Sequence, residues 1–178
     1  MIAELGAPMV GDACRAELFE ERHRERLKAA CAEDEDIWAI YAFSFDPEHF
    51  DASIDRIAQD PRNHTFVLFD GDELAGMSSF LGIDEDRQVL EIGGTYYRPH
   101  LRGTGFNRRV KTMMLGRAFA CGIRRVEFRV DRRNDRSQTA MKKLGAVREG
   151  ILRADRLTWT GHVRDTVLFA ILRHEWPI

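Results

Sequence analysis

Apolar residues along this chain change their spacing from one segment to the next, and each spacing predicts an element. Residues 14–19 read as a short first strand, and residues 22–31, charged with spaced apolar positions, as a helix. The acidic cluster Glu33-Asp34-Glu35-Asp36 ends that helix and opens a loop. From Pro47 to Ala58 the residues Phe50, Ile54 and Ile57 share one helical face, and Pro61 breaks the chain after it. Thr65–Phe69, 74–83 and Val89–Tyr97 are strands, with turns at Asp70-Gly71 and Asp84-Glu85-Asp86. Three strands joined by short loops predict an antiparallel meander.

Past Tyr97 the pattern changes. Pro99 holds Arg98 extended, and the turn Arg102-Gly103-Thr104-Gly105 leads into a helix that runs to Cys121, with Val110, Met113, Met114, Ala118 and Cys121 spaced by three and four. Gly122 caps that helix. Arg125–Val130 is a strand, Ser137–Leu144 a helix capped by Gly145, and 146–154 and 162–172 are strands joined near Thr160-Gly161. The expectation is an α/β (α+β) fold: one domain spanning residues 1–178, with a mixed, mostly antiparallel sheet of about seven strands flanked by about four helices.

Composition changes this picture in two ways. Three cysteines, Cys14, Cys31 and Cys121, with no C-x-x-C spacing predict free thiols and a reducing cytoplasm. No apolar run is long enough to span a membrane, and the N-terminal stretch does not read as a secretory signal. The net charge of −2 hides a strong asymmetry. Residues 1–97 hold 8 Lys+Arg against 22 Asp+Glu, whereas residues 98–148 hold 15 against 3. A basic segment of that strength meets a phosphorylated cofactor, a nucleic acid, or the acidic half of its own chain.

The segment 98–111, R-P-H-L-R-G-T-G-F-N-R-R-V-K, carries the most chemistry. Two glycines let the backbone approach an anion closely, and the helix that follows points its first N–H groups at that anion. Arg102, Arg108, Arg109 and Lys111 add full charges beside those amides. Cations at a helix N-terminus cost roughly 0.3–1 kcal/mol each, which an anionic ligand offsets. A lone G-x-G with solvated arginines would be only a tight turn. The third glycine of G-x-G-x-x-G is replaced by Arg108, and the G-K-[ST] of a P-loop is absent.

On these residues the chain resembles the GCN5-related N-acetyltransferases (GNAT), in their RimJ/RimL-like branch of ribosomal-protein N-terminal acetyltransferases. The family pattern [QR]-x-x-G-x-[GA] is matched by Arg102-Gly103-Thr104-Gly105-Phe106-Asn107, with Asn107 where Gly or Ala is usual. The landmark N-x-x-[AS] followed by L-G is matched by Asn134-Asp135-Arg136-Ser137 and Leu144-Gly145. The likeness covers about residues 14–172 and is best over 89–172. It implies transfer of an acetyl group from acetyl-CoA to an amine by direct attack in a ternary complex, without a metal. It places the CoA pyrophosphate on the amides of 103–108, through Gly103, Thr104, Gly105 and Asn107, with Arg102 and Arg108 beside it. The strands ending at Tyr97 and starting at Arg125 would splay, so that the pantetheine arm meets free backbone groups near Thr95–Tyr97 and the side chain of Asn134.

The acceptor implied is an amine-bearing molecule, either a protein N-terminus or a small molecule, with no nucleic acid or membrane partner and a possible homodimer. A free α-amine has a pKa near 7.7–8.0, so its neutral form costs about 1.2 kcal/mol at pH 7, against roughly 4.6 kcal/mol for a lysine near 10.4. A lysine acceptor therefore needs a base. Glu91 is the named candidate, placed on one strand face with Gly93 and Thr95 by two-residue alternation; its plain alternative is a strand carboxylate paired with an arginine. Many family members use a Tyr seven residues after the helix Asn to protonate the leaving thiolate. Met141 stands there, so Ser137 is the fallback, or else merely a helix cap. Two further readings compete: a CoA-binding GNAT fold with a regulatory or lost catalytic role, and a nucleic-acid-binding domain using the 98–148 arginines. Histidines 23, 49, 64, 100, 162 and 174 are scattered, which argues against a metal site.

Overall fold

In a computed structural model, which describes residues 4–177, the chain forms one eight-stranded sheet with two helices on each face. The strands are β1 (Met9–Gly11), β2 (Cys14–Leu18), β3 (His64–Asp70), β4 (Glu73–Asp84), β5 (Val89–Tyr97), β6 (Arg125–Asp131), β7 (Val147–Leu157) and β8 (Val163–Leu172). The helices are α1 (Arg24–Cys31), α2 (Phe50–Ala58), α3 (Phe106–Ala120) and α4 (Asp135–Leu144). Spatial order is β1-β2-β3-β4-β5-β6-β8-β7. All neighbours are antiparallel except β5 and β6.

The sequence pattern finds each helix and all strands but β1, a three-residue edge strand too short to show a period. Boundaries differ where side chains compete with the helix. The Asp46 carboxylate accepts the amides of Glu48 and His49, each at 3.0 Å, so the chain turns there and α2 starts at Phe50 rather than Pro47. Asn134 caps α4, so that helix starts at Asp135, ahead of Ser137. The hairpin turn is one residue later than expected: Asp70 pairs with Glu73, and Gly71 and Asp72 form the loop.

Two apolar layers cover the sheet. Under α3 and α4 lie Phe66, Leu68, Phe80, Leu90, Ile92, Phe106, Val110, Met114, Val126, Phe128 and Phe169. Under α1 and α2 lie Leu27, Trp38, Phe45, Phe50, Ile54, Val67, Met77 and Tyr96. The second layer turns on Trp38, which is fully buried and stacked on Tyr96 at 4.8 Å. Its indole N–H donates to the Cys31 carbonyl at 3.2 Å, while its own carbonyl accepts the Trp159 indole at 2.8 Å. This fixes the loop between α1 and α2 against the sheet.

Two irregularities shape the middle of the sheet. The parallel ladder between β5 and β6 holds only three pairs, Val89↔Arg125, Leu90↔Val126 and Glu91↔Glu127, after which the strands separate. The ladder between β4 and β5 gains a residue at the same level: Met77 faces Tyr96 and Ser79 faces Gly93, two steps on one strand against three on the other. Gly94 takes up this bulge at φ +57°, where a side chain would strain the backbone.

The bulge reverses the strand's phase. Leu90 and Ile92 face α3 and α4, yet Tyr96 packs with Trp38 on the opposite face, and Tyr97 packs on the α3 side. Glu91 and Thr95 therefore lie on opposite faces, contrary to simple alternation; Gly93 stays beside Glu91.

Replacing Trp38 with Ala should cost about 3–5 kcal/mol, because the aromatic cluster of Tyr41, Phe45 and Tyr96 loses its centre. The midpoint of urea unfolding measures this.

Candidate active site

Where β5 and β6 part, a cavity of about 920 Å³ opens between the ends of α3 and α4 and the loop after α1. Nine of the ten residues singled out from sequence line it: Glu91, Tyr97, Arg102, Gly103, Gly105, Asn107, Arg108, Asn134 and Ser137. Thr104 does not. Its hydroxyl donates to the Leu101 carbonyl at 2.8 Å and so builds the turn from outside.

The turn at the foot of α3 keeps its donors free. Gly103 and Gly105 sit at φ +81° and +90°, and a Cβ at either would meet nothing within 4 Å, so open space lies beside the backbone. Among the described residues, the amides of Gly103, Thr104, Gly105 and Asn107 find no backbone acceptor. Arg102 is half-buried. Its Nε donates to the Tyr97 carbonyl at 3.1 Å, one terminal nitrogen pairs with Asp34, and the other is buried without a partner. Arg108, Arg136 and Lys143 line the same cavity and make no ion pair among the described residues. Unpaired amides at a helix N-terminus ringed by free cations fit a polyphosphate chemically.

The basic segment also meets the acidic half of the chain. Arg98 pairs with Glu33 at 2.6 Å and with Glu73, Arg102 with Asp34, and Arg109 with Asp70 at 3.6 Å. Part of the asymmetry is thus satisfied internally, and part of the excess that remains borders the cavity.

Along the open edge of β5 the groups are less free than the sequence suggests. The Thr95 carbonyl accepts the Tyr41 hydroxyl at 2.5 Å, and the Tyr97 carbonyl is taken by Arg102. Tyr97 donates its hydroxyl to Asn107 Oδ1 at 3.0 Å, so Asn107, where the family usually has a small residue, holds the strand to the helix. Tyr96 points away, its hydroxyl donating to the Ala30 carbonyl at 2.7 Å. Asn134 Oδ1 accepts the Ser137 amide at 2.9 Å. The cap of α4 is therefore Asn134. Ser137 is three residues inside, and its hydroxyl makes no hydrogen bond to the described residues. Only the Asn134 amide nitrogen is left to face a ligand.

Glu91 is half-buried and lies directly over Gly93, whose Cβ, if present, would fall 2.6 Å from Glu91 Oε1. Arg129 Nε is 3.7 Å from the carboxylate, a loose contact rather than a tight pair. Burial raises the Glu91 pKa above the usual carboxylate value, against the opposing pull of Arg156, Arg129 and Arg164. Across the gap stands Lys111, 3% exposed, reaching from α3. Its ammonium donates to Thr95 Oγ1 at 2.6 Å and Ser78 Oγ at 3.2 Å. Burial pushes its pKa down to about 7, with Glu91 pulling the other way. A carboxylate shifted up and an ammonium shifted down in one cavity is the arrangement expected of proton-transfer groups.

Sequence reading places Lys111 among the charges beside the amides of the glycine turn, with no part in proton transfer. The missed signal is its place on the helix: it follows Asn107 by four, and Met114, Leu115 and Ala118, all fully buried, continue the same stripe. A charge inside an apolar stripe marks a buried polar contact.

Among the described residues no group of His, Cys, Asp or Glu is arranged to hold a metal, and no helix is long and apolar enough to cross a membrane. All three cysteines are free and buried.

Lys111 also makes stability depend on pH. Between about 7 and 10.5 the unfolded lysine carries a proton that the folded one has lost, so folding gains stability as pH rises through that window. The unfolding free energy of the wild type, minus that of Lys111→Met, should therefore climb from pH 7 to pH 10. Denaturant titrations at a series of pH values test this, and a flat difference contradicts the lowered lysine.

Comparison with known proteins identifies the family. The family model for the acetyltransferase (GNAT) domain matches residues 16–147. A crystal structure of a probable acetyltransferase of the GNAT family from Chromobacterium violaceum superposes with a TM-score of 0.89 at 27% identity, covering 96% of this chain and 88% of that one. A protein from T. thermophilus described as an acetyltransferase gives 0.86 at 30% identity, with 96% and 91% covered. Ribosomal-protein-S5-alanine acetyltransferase from Vibrio fischeri shares the fold at 17% identity, with a TM-score of 0.73 and 95% and 100% covered. Among curated proteins none matches. The chain belongs to the GNAT acetyltransferase family, whose fold uses acetyl-CoA to acetylate amines.

Proposed function

We propose that this protein is an acetyl-CoA-dependent N-acetyltransferase of the RimJ/RimL-like kind, acting on a primary amine: a protein N-terminal α-amine, an amino acid or another small amine. The observation that carries the reading is the gap between β5 and β6, with unpaired amides and cations at one end and Glu91 at the other.

In this reading the amides of 103–107 and the free cations Arg108, Arg136 and Lys143 hold the phosphates of acetyl-CoA. The unpaired nitrogen of Arg102 is a further donor toward them. Asn134 offers its amide N–H₂ to the pantetheine arm while its oxygen caps α4. The bound donor supplies an acyl thioester. Ile37, Ile40, Phe43, Phe45, Ile57 and Leu81 form an apolar wall of the same cavity, on the side of Glu91. That wall receives the body of the acceptor, and the raised pKa of Glu91 suits it to take a proton from the attacking amine. Ser137, with its free hydroxyl on the α4 side, is a donor toward the thioester. The buried free thiols fit a reducing cytoplasm.

Calorimetric titration with acetyl-CoA, followed by an amine screen for CoA release, tests the reading. One saturable site per chain and turnover with an amine support it. Binding without turnover on any amine favours a regulatory role, and no binding at millimolar acetyl-CoA removes the cofactor site. Asn134→Asp keeps the capping oxygen and loses the N–H₂ donor, so it should weaken acetyl-CoA binding about tenfold, in line with a lost charge-free hydrogen bond near 1.4 kcal/mol, without lowering the melting temperature. Asn134→Ala should lose about 1 kcal/mol of stability as well.

Glu91→Gln should separate acceptor classes. With a lysine-type amine, kcat should fall about 10²-fold or more, since the base must remove a tightly held proton. With an α-amine, already partly neutral at pH 7, the loss should be about tenfold or less. Equal losses for both would remove Glu91 as the base.

A further inference from the structure

We propose that Lys111 delivers the proton to the thiolate that leaves when the acyl group is transferred. The assignment rests on the acetyl-CoA reading above and names a residue that reading leaves without a part.

The argument begins with where the lysine sits. It rises from the second turn of α3, one turn above the phosphate-binding amides, and ends at the bulge of β5 where the sheet opens. Both hydroxyls it touches, Thr95 Oγ1 and Ser78 Oγ, also bond each other at 2.7 Å. The ammonium is thus fixed in place by neutral groups, with no carboxylate in contact. A structural lysine at this depth would be expected to have an anionic partner. This one borders a cavity instead.

Chemistry then narrows the choice of donor. As the amine nitrogen bonds to the carbonyl carbon, the C–S bond breaks and its electron pair goes to sulfur. One proton must reach that sulfur, and one must leave the amine nitrogen. Guanidinium groups do not release protons in this range, which excludes Arg102, Arg108, Arg129 and Arg136. Burial raises the Tyr41 hydroxyl to about 12 and that of Tyr97 well above its ordinary value, and each already donates, to the Thr95 carbonyl and to Asn107. Met141 carries no acidic proton. Ser137 is an ordinary alcohol, a far weaker acid than a thiol near 8.5. Lys111 is the buried cation whose proton is ready to leave, because its surroundings favour the neutral amine.

Glu91 on β5 is the charged group that acts on it; Tyr41, Tyr97, Arg129 and Asp131 line the same cavity. Asp131 is held by Arg133 at 2.8 Å. Glu91 therefore remains as the group that exchanges a proton with the lysine. The balance closes: the amine's proton passes to Glu91, the Lys111 proton passes to sulfur, and Glu91 restores Lys111 through water.

The test needs no acceptor. Free CoA is bound to the wild type, Lys111→Met and, as a control outside the cavity, Lys142→Met, and the thiol is titrated by its ultraviolet thiolate absorbance. Lys111 and the bound thiol exchange one proton, so their titrations are coupled, and Lys111→Met, which removes the coupling, should move the thiol midpoint by about one unit or more while Lys142→Met leaves it in place. With an acceptor from the amine screen, kcat of Lys111→Met should fall about 10²-fold and the CoA affinity stay within about threefold. Should Lys111→Met fold poorly, NMR titration of lysine side chains in the wild type, with and without CoA, gives the same information: one lysine titrating near neutrality must move when CoA binds. A thiol midpoint equal in wild type and Lys111→Met, or no lysine responding to CoA, overturns the assignment alone. Failure of the wild type to bind CoA overturns the cofactor reading and this assignment with it.

Discussion

The separation of β5 from β6 after three residue pairs is the feature on which the rest of the molecule depends. A parallel pair that stops early leaves backbone groups without partners in the middle of a sheet, a costly state unless something else meets them. Here side chains meet some of them: the Tyr41 hydroxyl takes the Thr95 carbonyl and Arg102 takes that of Tyr97. Those two residues also carry the cavity wall, so the groups that repair the broken ladder are the ones that enclose the site.

The bulge at Gly94 works together with the gap. By adding one residue to β5 it turns Thr95 toward α3 while Glu91 remains on the opposite face. Two chemically different environments then meet at one opening. On the α3 side a lysine is surrounded by hydroxyls and apolar residues, and desolvation drives it toward neutrality. On the other side a carboxylate lies among arginines, yet burial still raises its pKa. Neither shift follows from charge alone, since Glu91 would raise Lys111 and the arginines would lower Glu91. Removal from water dominates both.

The uneven distribution of charge has a structural and a functional part. Arg98, Arg102 and Arg109 reach back to Glu33, Glu73, Asp34 and Asp70, holding the foot of α3 against the N-terminal half. Such partly exposed pairs contribute little stability individually, but they aim the turn at 103–105. Arg108, Arg136 and Lys143, which find no carboxylate among the described residues, lie along the cavity.

How much was legible in the sequence follows from which forces are local. Turn chemistry and periodicity located four helices and seven of the eight strands, and the glycine pair with its flanking arginines located the turn that lines the cavity, because these depend on residues close in the chain. Thr104 as an outer brace, Asn134 rather than Ser137 as the cap, and the engaged carbonyls of Thr95 and Tyr97 depend on hydrogen bonds that sequence spacing does not specify. Above all, strict alternation placed Glu91 and Thr95 on one face, and one extra residue in β5 separated them. The sequence by itself determined the order of elements from β2 onward, the family and the glycine turn at 103–105. Only the tertiary structure decided that Lys111 is buried opposite Glu91, because a proton's affinity for a side chain is set by the water and charge around it, and folding alone assembles that surrounding.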